Sequence, residues 1–380
     1  MSVSRLLIFL GVVLSIVCGV HYFLWVRLAR DPGWPAPVVR GMGWGLAILA
    51  ASIPLGIFAS RTLSRTAAAP FSWLAYVWMG VMFVLFLTLL PMELVRVGAR
   101  VAGVDPERRL ALARILAGAA GIIGLVESGA GIASVLSRVA VKQIRVPIAK
   151  LPKALSGYTI VQLTDVHVGP TIGRAFIEQI VRTTNALAPD LIAITGDLVD
   201  GSVASLGALV EPLRELRAKD GVYFVTGNHE YYSGPDEWIA HLRTLGIRVL
   251  RNERIELKDG LDLAGVDDTS AHNYGRGHGQ DLPRAMAGRD PSRALVLLAH
   301  QPKAVIEACK LGVDLQLSGH THGGQIWPWG YAVRIDQPHV AGLHDHEGTA
   351  IYVSRGTGYW GPPLRVGAPA EITRIELVST

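Results

Sequence analysis

The sequence predicts an α/β (α+β) chain, a four-layer sandwich of two mixed β-sheets flanked by helices and preceded by an N-terminal four-helix transmembrane bundle. Three observations carry this. Four long apolar stretches fill the first third; short apolar runs alternate with helix-like runs after residue 157; and five short polar motifs each follow one of those runs.

The apolar stretches are Leu6–Trp25, Met42–Ser60, Phe71–Leu90 and Ile115–Leu136. A helix needs about 20 apolar residues to cross a bilayer, and each stretch comes close to or exceeds that. Arginines bound them (Arg5 and Arg27, Arg40 and Arg61, Arg65 and Arg96, Arg114 and Arg138), and Trp25, Trp34, Trp44 and Trp73 lie near their ends, where indoles favour the headgroup region. Hydrophobic residues make up 50% of the chain and charged residues 18%, too apolar for an ordinary soluble protein. Residues 1–150 hold 15 Lys/Arg against 5 Asp/Glu, a net +10, whereas residues 151–380 hold 21 against 26, a net −5. The basic balance therefore belongs to the membrane-flanking loops and suits anionic headgroups. No basic stripe with interleaved aromatics marks the polar part, which excludes nucleic acid as the expected partner. Four spans put both ends on one side, but eight basic residues flank each side, so the side holding the C-terminal part is undecided. The fourth span is rich in glycine and carries Glu127 near its middle, read as a carboxyl kept neutral against a helix neighbour. Cys18 and Cys309 form no disulfide framework, and Cys309 is expected to be a small buried residue.

The anchor is thus residues 1–137, followed by a linker with a lead-in edge strand at 138–157 and a second domain at 158–380. In that domain Tyr158–Leu163, Leu191–Thr195, Val222–Thr226, Ala294–Ala299 and Asp314–Leu317 read as buried strands. Arg174–Leu187, Ser205–Arg217, Pro235–Leu245 and Pro302–Lys310 read as helices. Shorter alternating runs between Ile247 and Val266 predict antiparallel strands, and Ala350–Ser354 and Glu371–Leu377 add two more.

The motifs, in order, are Asp165-Val-His167, Gly196-Asp197, Gly227-Asn228-His229-Glu230, Ala299-His300 and Gly319-His320-Thr321-His322. Each would sit at a strand's carboxyl end, the edge where open α/β sheets bind ligands. Asp165 and His167, two apart, share a strand face and can reach one ion, as can His320 and His322. Asp165, His167, Asp197, Asn228, His300, His320 and His322 together offer two carboxylates, one amide and four imidazoles. That suffices for two ions sharing a bridging carboxylate. Mixed N/O donors without thiolate suit Mn, Fe, Zn or Co rather than Ca²⁺ or Mg²⁺. Two such ions activate water and clamp the oxygens of an in-line phosphoryl displacement. His229, beside Asn228, is left to protonate the leaving oxygen or to bind the developing charge.

This ordered set resembles the calcineurin-like metallophosphoesterases. The longer strings Leu163-Thr-Asp-Val-His-Val-Gly169, Thr195-Gly-Asp-Leu-Val-Asp200, Gly319-His-Thr-His-Gly-Gly-Gln325 and Ser354-Arg-Gly-Thr-Gly358 are similar to its bacterial membrane-associated branch, which includes UDP-2,3-diacylglucosamine pyrophosphatases. The resemblance spans roughly residues 140–378. It implies one metal held by Asp165, His167, Asp197 and His322, and a second by Asp197, Asn228, His300 and His320, with His229 as general acid or transition-state ligand. It implies hydrolysis of a phosphodiester or pyrophosphate bond in a lipid-linked or nucleotide-sugar-lipid substrate, in the bacterial inner membrane. The alternatives are a nucleotide phosphodiesterase merely localised at the membrane, or a transport or sensor protein with a regulatory phosphoesterase domain.

The remaining candidates read more plainly. His344-Asp345-His346 resembles a metal pair but sits among Glu347 and Gly348 as a solvated loop. Asp200 is balanced between a partner of a metal ligand and a turn residue. Asp267-Asp268 marks a turn, His21 lines the bundle, and His241, His272, His278 and His339 have no partner pattern. Trp327-Pro-Trp-Gly-Tyr331 and Tyr359-Trp-Gly-Pro-Pro363 read as rigidly packed loops, with an apolar rim as the rival reading.

Overall fold

The computed structural model describes residues 3–275 and 277–380. Met1, Ser2 and the side chains of residues 3–7, 9 and 10, which include Arg5 and the start of the stretch from Leu6, lie outside the described part. The chain forms two compact units, one of the N-terminal helices to Ala133 together with Gly361–Leu364, the other of Ser134–Trp360 and Arg365–Thr380.

The first unit is built from α1 (Val3–Trp25), α2 (Ala36–Thr62), α3 (Arg65–Val101) and α4 (Pro106–Leu136), each running past the span predicted for it. All four supply apolar segments long enough to cross a membrane. In a bilayer the helix satisfies every backbone group internally, which these sequences need because they offer few side-chain partners. The buried face of α4 consists wholly of small residues: Ala113, Ala117, Ala120, Gly124, Ser128 and Gly131. A Cβ on Gly124 would sit 2.4 Å from Leu85 Cδ2, and one on Gly56 would sit 2.4 Å from Ala75 Cβ. Small residues thus set the helix spacing. A Cβ added at Gly118, Gly121 or Gly129 of α4 would meet nothing within 4 Å, so these three face outward. His21 lines the bundle as expected, its Nε2 accepting from Trp78 Nε1 at 2.9 Å. Glu127 is half-buried and makes no hydrogen bond or ion pair among the described residues.

Among its described residues the second unit has twelve strands: β1 (Ala140–Ile148), β2 (Thr159–Leu163), β3 (Leu191–Ile194), β4 (Val222–Phe224), β5 (Arg248–Val249), β6 (Glu253–Lys258), β7 (Leu261–Gly265), β8 (Ala294–Leu298), β9 (Leu315–Ser318), β10 (Gly342–His346), β11 (Thr349–Val353) and β12 (Glu371–Ser379). They form two six-stranded sheets, β1-β12-β2-β3-β4-β5 and β10-β11-β9-β8-β7-β6. Val146, Ile160, Leu191 and Tyr223 of one sheet meet Leu263, Val296, Leu317 and Tyr352 of the other in a core between the sheets. The outer face of the first sheet packs on α5 (Arg174–Ala186), α6 (Val203–Val210) and α8 (Pro235–Thr244), which follows the short α7 (Asn228–Ser233). The outer face of the second packs on Leu282, Ala285, Ala304 and Ala308 of short helices. Those are the four predicted layers.

Several local expectations are corrected. Ser205–Arg217 does not stay α-helical, because Pro212 lacks the N–H that would bond the Ala208 carbonyl; the helix tightens to a 3₁₀ turn over Glu211–Glu215, and Arg174 Nη1 takes that carbonyl at 3.1 Å. Pro302–Lys310 is likewise split between 3₁₀ and α turns. β5 is parallel to β4, so only β6 and β7 form the antiparallel pair in that stretch. β11 is parallel to β9 and β12 parallel to β1, each antiparallel only on its other side. Cys309 is half-buried rather than buried, its Sγ facing Glu347.

Strands β2 to β5 are mutually parallel, as are β7, β8, β9 and β11. Their carboxyl ends therefore bring all five polar motifs to one edge of the sandwich.

Candidate dinuclear metal centre

The ligand candidates lie just beyond the strands, not on them. Asp165, His167, Asp197, His320 and His322 all have φ between 51° and 70°. Left-handed backbone costs a non-glycine residue roughly 1–3 kcal/mol, and such strain gathers at functional sites. Asp165 and His167 thus converge through backbone turns, and the expected alternation of a pleated strand plays no part. Glycines make room for this. A Cβ on Gly196 would lie 2.6 Å from Gly227 N, and one on Gly227 would lie 2.2 Å from Asp197 Oδ1. Glu230 locks the two turns together, accepting from the N–H groups of Asp197 (3.0 Å), Leu198 (2.8 Å) and Gly227 (2.7 Å). Its function is structural, and burial with Asp197 nearby raises its carboxyl to about 7.

Three overlapping groups result among the described residues. The ligand atoms of Asp165, His167 and His322 lie within 4.8 Å of one another, and so do those of Asp197, His300 and His320; His167, Asp197 and His229 form the third. His167 Nε2 and Asp197 Oδ2 are 3.9 Å apart, which joins the groups. His167 Nε2 and His322 Nε2 face each other at 3.1 Å. His167 Nδ1 donates to Asp200 Oδ1 at 3.0 Å and His300 Nδ1 donates to the Thr195 carbonyl at 2.8 Å, which leaves the lone pair of each ring on Nε2. That is the arrangement metal-bound histidines take. His300 Nε2 and Asn228 Oδ1 are buried without any hydrogen-bond partner; His300 Nε2 lies 3.0 Å from Asp197 Oδ2 but without hydrogen-bond geometry. Orphaned buried acceptors cost roughly 1–3 kcal/mol each, so the site as it stands is built for cations that would satisfy them. Burial pushes His320 down to about 3, and burial with the nearby Arg365 lowers His322 as well.

His229 stands over both groups, its N–H on Asp197 Oδ1 at 2.9 Å and its Nδ1 on Asp200 Oδ1 at 2.6 Å. Burial disfavours its charged form, but the Asp200 hydrogen bond and the surrounding carboxylates raise it to about 9. Asp200 in turn is held at about 2, against burial, by His167 and His229. The doubt over Asp200 resolves: one oxygen serves both a ligand candidate and the free histidine. Arg365 had no sequence signal. Fully buried, it donates to the carbonyls of Gly358, Ala368 and His322 and to His322 Nδ1, bracing the last motif.

Elsewhere, Asp267 is paired with Arg251 and Asp268 holds Gln301, so both do more than mark a turn. Trp327, Trp329, Tyr331 and Trp360 are exposed, and of the five aromatic rings in these loops only that of Tyr359 is buried, which corrects the packed-loop reading. Trp360 meets the His229 ring edge-on at 5.6 Å.

The family described as Calcineurin-like phosphoesterase matches residues 158–324. A metallophosphoesterase of Aquifex aeolicus is 36% identical over 239 residues, covering 62% of this chain and 91% of that protein. The chain belongs to the calcineurin-like metallophosphoesterases. Two animal proteins named "Transmembrane protein with metallophosphoesterase domain" are also similar to it. That of Bos taurus is 41% identical over 297 residues (74% of this chain, 66% of that protein), and that of Danio rerio 40% over 248 residues (62% and 57%). The chain thus spans under two thirds of the length of both animal relatives. The 297 matched residues of the Bos taurus protein exceed what residues 138–380 hold, so that likeness reaches into the apolar helices of this metallophosphoesterase. With four such helices it is a membrane protein.

Proposed function

We propose that this metallophosphoesterase hydrolyses a phosphodiester or pyrophosphate bond at two metal ions. The observation that carries the proposal is the pair of ligand groups meeting around Asp197, with Asn228 Oδ1 and His300 Nε2 left as buried acceptors. Asp165, His167, Asp197 and His322 would hold one ion, and Asp197, Asn228, His300 and His320 the other. Such ions, when bound, supply Lewis-acid activation of water and neutralise phosphoryl charge. The donor set suits Mn, Fe, Zn or Co.

The protein's own part follows from the proton positions. His229 donates Nδ1–H to Asp200, so its second ring proton sits on Nε2, ready for the leaving oxygen. Asp200 fixes the charged state of His229 and the lone pair of His167 together. Asp200→Asn keeps the shape and removes the charge, and hydrolysis is expected to fall roughly 10–100-fold with the thermal midpoint little changed. A wild-type rate in that variant would remove Asp200 from the machinery.

The substrate we propose is a lipid-linked or nucleotide-sugar-lipid phosphoester, in the bacterial inner membrane. The exposed rings of Trp327, Trp329, Tyr331 and Trp360 support it, because Gln325 ties the two loops (Nε2 to Trp360 O, 2.9 Å) and Trp360 borders His229. Aromatic rings with one apolar face and one polar handle suit an acyl-bearing headgroup. The test is full-length protein in mixed micelles given lipid phosphoesters and water-soluble nucleotide diesters, before and after chelation. Preference for the lipid, lost to chelator and restored by Mn²⁺, is the expected result. Equal efficiency on both substrates would sink the lipid reading, and chelator-resistant hydrolysis would sink the metal reading.

A further inference from the structure

The stretch expected to be a solvated loop, His344-Asp345-His346, is strand β10, hydrogen-bonded to β11 at the sheet edge. His344 and His346 fall at i and i+2, so they share a face. The register sets which one: His344 is opposite Ile351, which packs with Val305 on the outer side, whereas Leu343 is opposite Tyr352 of the core between the sheets. His339, which had no partner pattern in the sequence, lies against both. Its ring stacks on His344 at 4.6 Å and 20°, and meets His346 edge-on at 5.3 Å. Its Nε2 is 3.2 Å from His346 Nδ1.

A single imidazole–imidazole hydrogen bond explains two rings and is worth about 1 kcal/mol. It does not explain the third. His344 donates Nε2–H to the Ala341 carbonyl at 2.9 Å, which leaves Nδ1 as a lone pair on the side chain stacked against His339. The 3.2 Å separation of the other two nitrogens matches adjacent ligands on a tetrahedral ion with bonds of about 2.0–2.1 Å.

We propose that His339, His344 and His346 form a third metal site, separate from the catalytic pair, for a divalent ion that favours imidazole nitrogen: Zn²⁺, Cu²⁺ or Ni²⁺. Two nitrogens are in place, and a side-chain rotation of His344 brings in the third, with the fourth position open to water. The ion ties the loop at His339 to β10. That loop also holds the catalytic turn, since the Val340 carbonyl accepts the hydroxyl of Thr321, between His320 and His322, at 2.6 Å. The site is therefore a brace, and its loss leaves the catalytic ligands intact.

The test uses full-length protein in detergent, stripped of metal, equilibrated with Zn²⁺ and desalted, with ions per chain counted by mass spectrometry. Wild type is expected to retain one ion more than His339→Ala/His346→Ala, while the double variant still hydrolyses substrate, which reports that it folds. Equal counts overturn the site. Should the double variant fail to fold, wild type alone decides. Zn²⁺ is expected to shield His339 and His346 from carbethoxylation by diethylpyrocarbonate, read by peptide mass spectrometry, and undiminished labelling at saturating Zn²⁺ overturns the proposal.

Discussion

Asp197→Asn is expected to abolish measurable hydrolysis and to lower the metal held at the catalytic pair of sites from two ions per chain to one or none. Asp197 is the carboxylate common to the second ligand group and to the bridge toward His167, with Oδ2 3.0 Å from His300 Nε2 and 3.9 Å from His167 Nε2. Asparagine preserves the oxygen that accepts the His229 N–H and leaves the Glu230 bonds to the Asp197 and Leu198 N–H groups untouched, so the turn itself survives. What is lost is the negative charge between two cations. Removing an outer partner of a ligand costs roughly 10–100-fold, and losing the shared ligand must cost more. Metal analysis alongside single-turnover rates checks it. A variant that keeps both ions and the wild-type rate would show that the bridging role is misassigned.

Why Asp197 could be picked out from sequence while Asp200 could not is a matter of distance along the chain. Asp197 follows glycine at the end of an apolar run, a local pattern, and its partners come from motifs of the same kind. Asp200 acquires its role only when left-handed turns at Asp165, His167 and Asp197 fold loops about 30 residues apart onto one another. Arg365 reaches His322 across 43 residues, and nothing in its surroundings announces it. The same limit applies to the fold. Buried strands with continuous apolar runs were legible, because periodicity and burial coincide there. β10, with Leu-His-Asp-His at a sheet edge, was not, because only backbone pairing with β11 makes it a strand. The strain at the ligand residues was also invisible, since no composition rule demands that five aspartates and histidines sit at positive φ. There the local preference loses to the site.

His229→Gln is expected to lower kcat by about 10²–10⁴-fold, the usual contribution of a positioned general acid, while both ions stay bound. The imidazole touches no expected ion directly in the proposed scheme; it packs against Tyr232 at 5.1 Å and Trp360 at 5.6 Å and holds its second proton by virtue of Asp200. Glutamine fills much of that space and keeps the backbone N–H on Asp197. The informative comparison is between leaving groups. An alkyl ester needs its leaving oxygen protonated, whereas a nitrophenyl ester leaves as a stabilised anion. The loss in His229→Gln should therefore be large for the alkyl ester and small for the nitrophenyl ester. Asp200→Asn should show the same bias in weaker form, because it removes the partner that keeps His229 charged and not the proton donor itself. An equal loss on both esters would mean that His229 stabilises transition-state charge and gives up no proton. Loss of an ion would place it among the ligands, where its proximity to His167 and Asp197 also allows it to stand. The leaving-group slope and the metal count together separate these three roles.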